Sequence, residues 1–114
     1  MNAAAALPPA GADWHPEDVK AAVRKRGWNF RRIARVFEYA PKSPDQVVHR
    51  PWRAMELIVG AILETDPWEI WPSRYTKDGP ESRAAMRRAM QGLRRRMART
   101  GPERGAPPIR QAEL

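Results

Sequence analysis

Apolar positions recur at helical spacing in the first half of the chain, where they predict two short helices joined by a polar turn over residues 28–50. The first of these helices has one apolar face, with the i, i+3, i+4, i+7 spacing, made by Phe30, Ile33, Ala34 and Phe37. Ser43 is placed to cap the second helix, Pro44 suits its first helical position, and Gln46 completes a capping box. The second helix is therefore predicted to begin at about residue 44.

The same pattern predicts helices on both sides of this pair. Pro16 suits the first position of an earlier helix, Gly27 closes that helix, and Asn29 caps the next one. Residues 52–63 are predicted to form the most buried helix. Gly60 inside it indicates the close approach of another backbone, because glycine costs a helix about 1 kcal/mol relative to alanine. No segment shows sustained alternation with period two, so the predicted fold class is all-α.

The composition changes beyond residue 78, where arginine becomes frequent. A short heptad-like seam of apolar residues is made by Met86, Met90, Leu93 and Met97. Arginines cover much of the remaining surface, which predicts an additional basic amphipathic helix. The expected organisation is a disordered arm (1–12), a helix-turn-helix domain (13–78), the basic helix (79–100) and a disordered tail (101–114).

The net positive charge of the chain predicts a preference for polyanionic partners. The formal net charge is +8. Residues 1–78 carry 12 Lys and Arg against 10 Asp and Glu, whereas residues 79–114 carry 9 against 3, so most of the excess lies near the C-terminus. Each phosphate that a basic protein contacts releases condensed counterions. Because a helix-turn-helix unit delivers its second helix to the major groove, the expected partner is a double-stranded DNA operator.

Several other classes of function are not expected. The chain has no Cys, and it shows no metal-ligand cluster, Gly-rich phosphate loop or serine motif. The sequence therefore predicts no enzyme, no cofactor, no metal site and no small-molecule ligand. No apolar run approaches the length of about 18 residues that a membrane-spanning helix needs. A cytoplasmic, nucleoid-associated protein without a membrane partner is predicted.

A set of short motifs carries a family resemblance: Asp13-Trp14-His15, Asp18-Val19, Tyr39-Ala40-Pro41, Leu63-Glu64-Thr65 and Ile70-Trp71-Pro72-Ser73-Arg74-Tyr75. Over about residues 13–76 the chain resembles the Ner-like family of DNA-binding regulators, named for the Ner protein of phage Mu. The resemblance implies a compact five-helix domain similar to the λ-repressor-like helix-turn-helix fold. It also implies sequence-specific operator binding, with repression of early promoters in transposable phages and transcriptional regulation in related bacterial members.

The chain departs from the usual helix-turn-helix template at two positions. The turn begins with Glu38 where the template has Gly, so the backbone must either avoid a positive φ or accept strain. Pro44 stands where the recognition helix carries an apolar residue, so this helix is predicted to start later and to be shorter than in relatives.

Residues near the start of a recognition helix point toward base edges. The predicted base-readout set is Lys42, Ser43, Asp45, Gln46 and His49. Gln46 suits a bidentate pair with adenine, Asp45 suits the cytosine amino group, and Lys42 suits guanine or a phosphate. Helix capping is the structural alternative for Asp45 and Gln46.

Polar and cationic residues around this helix are predicted to contact phosphate, which sets register without reading sequence. They are Arg31, Arg32, Arg50, Arg53, Ser73 and Arg74. A solvated face is the alternative for the arginines, and Arg74 has the further alternative of a cation-π contact with Trp71.

The sequence thus favours a DNA-binding transcriptional regulator, most simply a repressor that occupies promoter-overlapping operators. Two copies are expected on adjacent half-sites, because one short helix reads few base pairs. Two alternatives stay open. One is an interaction adaptor that docks a partner through the Met/Arg helix, and the other is arginine-rich RNA binding by the C-terminal residues.

Overall fold

The computed structural model describes residues 11–100, and within that range every regular element is a helix. In chain order the elements are α1 (Pro16–Lys25), α2 (Phe30–Phe37), the 3-10 helix η1 (Pro44–Val48), α3 (Arg53–Leu63), α4 (Pro67–Ile70), the 3-10 helix η2 (Pro72–Arg74) and α5 (Pro80–Ala98). The all-α prediction is confirmed. Apart from Gly11 and Ala12, the predicted arm and tail lie outside the described residues. No helix within 11–100 is long and apolar enough to cross a membrane.

Short polar residues define the ends of α1 and the start of α2. His15 caps α1 through Nδ1, which accepts the Glu17 N–H at 3.0 Å. Gly27, at a φ of 79°, closes α1 as predicted and donates its N–H to the Arg24 carbonyl at 2.9 Å. Asn29 caps α2, as predicted, by accepting a backbone N–H at 2.7 Å.

The sequence left two possibilities for the turn after α2, which were to avoid a positive φ at Glu38 or to accept strain there. The structure shows the strained conformation. Glu38 adopts the left-handed conformation at a φ of 62°, which costs a residue with a Cβ about 1–2 kcal/mol. The backbone then reverses, and the Tyr39 N–H donates to the Ala34 carbonyl at 2.8 Å. This geometry ends α2 without a glycine.

The second helix of the helix-turn-helix unit begins at Pro44, as predicted, but η1 is a 3-10 helix of five residues. The predicted capping box is wrong, because Ser43 makes no side-chain cap hydrogen bond. Its backbone is already helical, at φ −69° and ψ −45°, and its N–H closes a turn onto the Ala40 carbonyl at 2.9 Å. A capping serine needs an extended backbone.

The central helix of the fold is α3, which is buried along most of its length. The methionine seam of α5, made by Met86, Met90 and Met97, is buried, with Met90 and Met97 joining the core cluster that contains α3. Gly60 permits a close approach, but the atom that α5 brings there is the Met90 sulfur, and the nearby backbone is the Thr65 carbonyl of the turn after α3, each 2.9 Å from where a Cβ would be. Since the seam is used inside the chain, it is not free to dock a partner in the way that the adaptor alternative requires.

Gly60→Ala is expected to lower the free energy of unfolding by about 1–2 kcal/mol. The added Cβ would lie 2.9 Å from both the Met90 Sδ and the Thr65 carbonyl oxygen, and the latter belongs to backbone that closes α3. Gly92→Ala in α5 is the control, because its Cβ would meet nothing closer than the Arg95 Nη2 at 3.8 Å. That change should instead stabilise the protein by about 0.5–1 kcal/mol. Urea unfolding of both variants measures the difference, and a Gly60 variant as stable as the wild type would contradict the packing.

Candidate nucleic-acid interface

The segment from Lys42 to His49, here the reading segment, divides cleanly into an inner and an outer side. Pro44, Val47 and Val48 are buried and hold the segment against α2 and α3. The outer side exposes Lys42, Asp45, Gln46 and His49, with Ser43 half-buried. Among residues 11–100, the Gln46 side chain has no hydrogen-bond partner, so the capping alternative for Gln46 is wrong. The structure thus presents the predicted base-readout set together, and base contact itself stays a prediction.

A basic cleft of about 440 Å³ lies beside the reading segment. Its cationic lining comes from three elements: Lys20 and Arg24 from α1, Arg31 from α2, and Lys42 from the turn. Sequence reasoning included Arg31 and Lys42 and missed the two α1 residues. Their i, i+4 spacing places them on one face of α1, but only the packing of α1 beside the turn brings that face to the cleft.

Arg32 has a structural role, and its predicted phosphate contact needs correction. The residue is only 3% exposed, and its guanidinium lies 3.9 Å from the centre of the Trp28 ring. Nη1 donates to the Gly27 carbonyl at 3.0 Å, and Nη2 donates to the Thr100 Oγ1 at 3.3 Å. A phosphate cannot reach the guanidinium without displacing these groups.

Arg74 is likewise held inside the protein rather than presented to DNA. Its Nη1 donates to the Glu56 carboxylate at 2.9 Å and to the Val47 carbonyl at 2.8 Å. The guanidinium also lies over the Trp71 ring, 4.8 Å from its centre, which is the cation-π alternative that the sequence raised. Through the Val47 carbonyl, Arg74 positions the reading segment on the body of the fold.

Glu56 is the centre of a buried polar network. It is 1% exposed and accepts hydrogen bonds from the Trp52 N–H at 2.8 Å, from Arg74, and from the Tyr75 hydroxyl at 2.5 Å. Burial, followed by the hydrogen bond to Glu56, raises the pKa of the Tyr75 hydroxyl. The network joins α3 to the Trp-Pro-Ser-Arg-Tyr motif, and no sequence pattern pointed to Glu56 as its partner.

Ser73, another predicted phosphate contact, is bound to the start of the domain. Its N–H and its hydroxyl both donate to the Asp13 carboxylate, at 3.0 and 2.6 Å. Next to these two hydrogen bonds, the Trp14 N–H donates to the Ile70 carbonyl at 2.9 Å. The first and last of the motifs that carry the family resemblance therefore hold the two ends of residues 13–75 together, and Arg74 of the last motif also contacts the reading segment at Val47.

The remaining predicted phosphate contacts differ in availability. Arg31 and Arg50 are exposed and have no side-chain partner within residues 11–100. Arg53 is exposed but engaged, since it donates to Asp78 at 3.3 Å and lies 4.2 Å from the centre of the Tyr75 ring. Hydrogen bonds from Arg53 and then Ser82 lower the pKa of Asp78. Arg31 and Arg50 are thus the two predicted cations that the fold leaves open to a ligand.

A second motif helix that is anchored on its inner side and polar on its outer side is the arrangement by which a helix-turn-helix unit presents side chains to DNA. A sequence model of the winged helix-turn-helix DNA-binding family matches residues 13–88, and the chain belongs to this family. Residues 11–100 contain the helix-turn-helix of this family and no strand.

Relatives extend this assignment. The chain is 41% identical over 63 residues to sugar fermentation stimulation protein B of Escherichia coli K12, covering 55% of this chain and 68% of the relative. It is 43% identical over 63 residues to the negative regulator of transcription of Escherichia phage Mu, covering 55% and 84%. It is 28% identical over 65 residues to the Mu-like prophage FluMu DNA-binding protein Ner of Haemophilus influenzae, covering 57% and 73%. The predicted resemblance to Ner-like regulators is confirmed. No solved structure matches the chain.

Proposed function

We propose that this protein is a sequence-specific regulator of transcription that binds double-stranded DNA and represses by occupying operators that overlap promoters. The observation that carries the proposal is the outer side of the reading segment, where Lys42, Asp45, Gln46 and His49 are exposed around a buried anchor. Membership of a DNA-binding family supports DNA as the ligand. The phage Mu relative, which is named a negative regulator of transcription, supports repression as the effect of binding. Such a regulator would act in the cytoplasm, on the nucleoid.

Base readout is assigned to the outer side of the reading segment. Gln46 is suited to a bidentate pair with adenine, Asp45 to the cytosine amino group, and Lys42 to guanine. Five residues of 3-10 helix extend about 10 Å, which is the length of about three base pairs. Each copy of the protein therefore reads a short site.

A short site per copy favours two copies on DNA. Half-sites one helical turn apart are separated by about 34–36 Å. The described part of the protein spans 39 × 34 × 30 Å along its principal axes, which is comparable with that spacing. We therefore expect a homodimer on the operator.

Phosphate contacts are assigned to the basic cleft and to Arg50. The cleft gathers Lys20, Arg24 and Arg31 next to Lys42, so a backbone that passes the reading segment would meet several cations from α1 and α2. Affinity for DNA falls as salt concentration rises, and each such contact is expected to steepen the slope of log affinity against log salt concentration by about 0.9. Arg50 is exposed and follows the C-terminal end of η1, the end opposite to the one that lines the cleft.

Selection of bound sites from a random duplex pool, followed by competition binding, tests this proposal. We expect an enriched motif with two half-sites about 10 base pairs apart. Gln46→Ala should lower the ratio of specific to non-specific affinity by about 5- to 150-fold, which corresponds to a bidentate contact of about 1–3 kcal/mol. Gln91→Ala, at an exposed position of α5, is the control and should leave the ratio unchanged. Failure to enrich a motif, or a Gln46 variant with the wild-type ratio, would contradict the assignment.

A further inference from the structure

The outer face of α5 carries a line of arginines. Arg88, Arg95 and Arg99 are exposed and follow one another at intervals of seven and four residues, which places them on one side of the helix, opposite the buried methionine seam. We call them the arginine stripe. None of the three side chains has a hydrogen bond or ion pair with any residue in the range 11–100.

Three other arginines on the same helix are used by the fold. Arg87 donates to the Asp66 carboxylate at 2.9 Å, Arg83 donates to a backbone carbonyl at 3.4 Å, and Arg96 donates to the Val36 carbonyl at 3.2 Å. The stripe has no such role. Arg95 and Arg99 are like charges at i, i+4, an arrangement that destabilises an isolated helix by about 0.2–0.5 kcal/mol. The only acidic residue of α5 is in its first turn, so no charge on the helix offsets this repulsion near the stripe.

The stripe and the reading segment are separate surfaces. The reading segment meets α2 on the flank of Arg31, which lines the basic cleft together with Lys42. The end of α5 meets α2 on its other flank, where Thr100 accepts from Arg32 and where Arg96 reaches the Val36 carbonyl. The end of α5 and the reading segment therefore contact α2 on different flanks.

We propose that the arginine stripe is a second, sequence-independent contact with the phosphate backbone of duplex DNA. This rests on the proposed function for the class of ligand, because it adds a second DNA-binding surface to a protein that reads DNA elsewhere. From Arg88 to Arg99 the helix rises about 16 Å, the length of about five base pairs. A guanidinium binds phosphate through two parallel N–H groups, so three of them along one face fit a polyanion of regular spacing.

The test compares two doubly substituted full-length proteins that lose the same charge. The double variant R88Q/R95Q removes two stripe cations, whereas K25Q/K77Q removes two exposed cations outside the stripe and the reading segment. Each is titrated against random-sequence duplex at increasing sodium chloride concentration. Loss of two phosphate contacts should lower the slope of log affinity against log salt by about 1.8 in the stripe variant, with little change in the control.

Three outcomes decide the proposal. On a selected site, the stripe variant should keep the wild-type ratio of specific to random affinity, because the stripe does not read bases. A wild-type salt slope on duplex DNA would overturn the proposal, and so would a slope that falls only on hairpin RNA, which would identify RNA as the ligand. Because the probe has no defined sequence, the stripe is tested even if site selection enriches nothing. Failure of base readout and failure of the stripe are therefore separate results.

Discussion

Glu56→Gln is expected to lower the free energy of unfolding by about 3–5 kcal/mol, the largest effect anticipated for any single change in this protein. The carboxylate is 1% exposed and lies 2.9 Å from the Arg74 guanidinium, whose side chain is itself only 10% exposed. Removing the negative charge leaves a buried cation without its counter-ion. The Tyr75 hydroxyl and the Trp52 N–H also lose a charged acceptor.

Urea unfolding monitored by tryptophan fluorescence measures this loss. Glu69→Gln is the control, because Glu69 is exposed and a surface change of this kind stays within about 0.5 kcal/mol. The double variant Glu56→Gln, Arg74→Met should lose less than the sum of its two single changes, since no charge then remains buried. Equal unfolding midpoints for Glu56→Gln and the wild type would show that the ion pair does not stabilise the fold.

Arg32→Ala and Arg31→Ala are expected to have opposite consequences although the residues are adjacent. Arg32→Ala should lower the free energy of unfolding by about 2–3 kcal/mol, because the Gly27 carbonyl loses a charged donor and the Trp28 ring loses its cation. Arg31→Ala should leave stability within about 0.5 kcal/mol, since its side chain is exposed and has no partner within residues 11–100. It should instead reduce the salt slope of DNA binding by about 1.

The same two measurements applied to both variants separate structure from binding. Unfolding in urea reports the role of Arg32, and titration of duplex DNA at increasing salt reports the role of Arg31. The reverse pattern, with a stable Arg32 variant that has a reduced slope, would return Arg32 to the set of phosphate contacts. It would also mean that the side chain leaves Trp28 when DNA binds.

Features that depend on neighbours in the chain were predictable. The helical spacing of apolar residues, the cap at Asn29, and the glycine that closes α1 all occur where the sequence places them. Such features are decided within one or two turns of backbone. The predicted capping box at Ser43 is wrong because the turn before η1 places the Ser43 backbone in the helical conformation, in which its side chain does not cap the helix.

The roles of the arginines show the limit of sequence reasoning. Arg31 and Arg32 are adjacent residues of the same type, so both were predicted to contact phosphate. Arg74 lies in a motif that resembles DNA-binding proteins, and this resemblance suggested a contact with DNA. Their environments depend on residues far along the chain: Thr100 lies 68 positions from Arg32, and Glu56 lies 18 positions from Arg74. No local pattern records which cation meets a partner at that distance.

By itself, the sequence determined an all-helical protein with a helix-turn-helix over residues 28–50, because the period of apolar side chains and the capping residues act within single helices. Only the tertiary structure decided which polar residues are free to meet a ligand. Packing of α3 against the motif around Arg74 buries an ion pair, whereas packing of α1 beside the turn opens a basic cleft. Burial depends on contacts between distant segments, and it removes some charges from the surface while leaving others of the same residue type exposed.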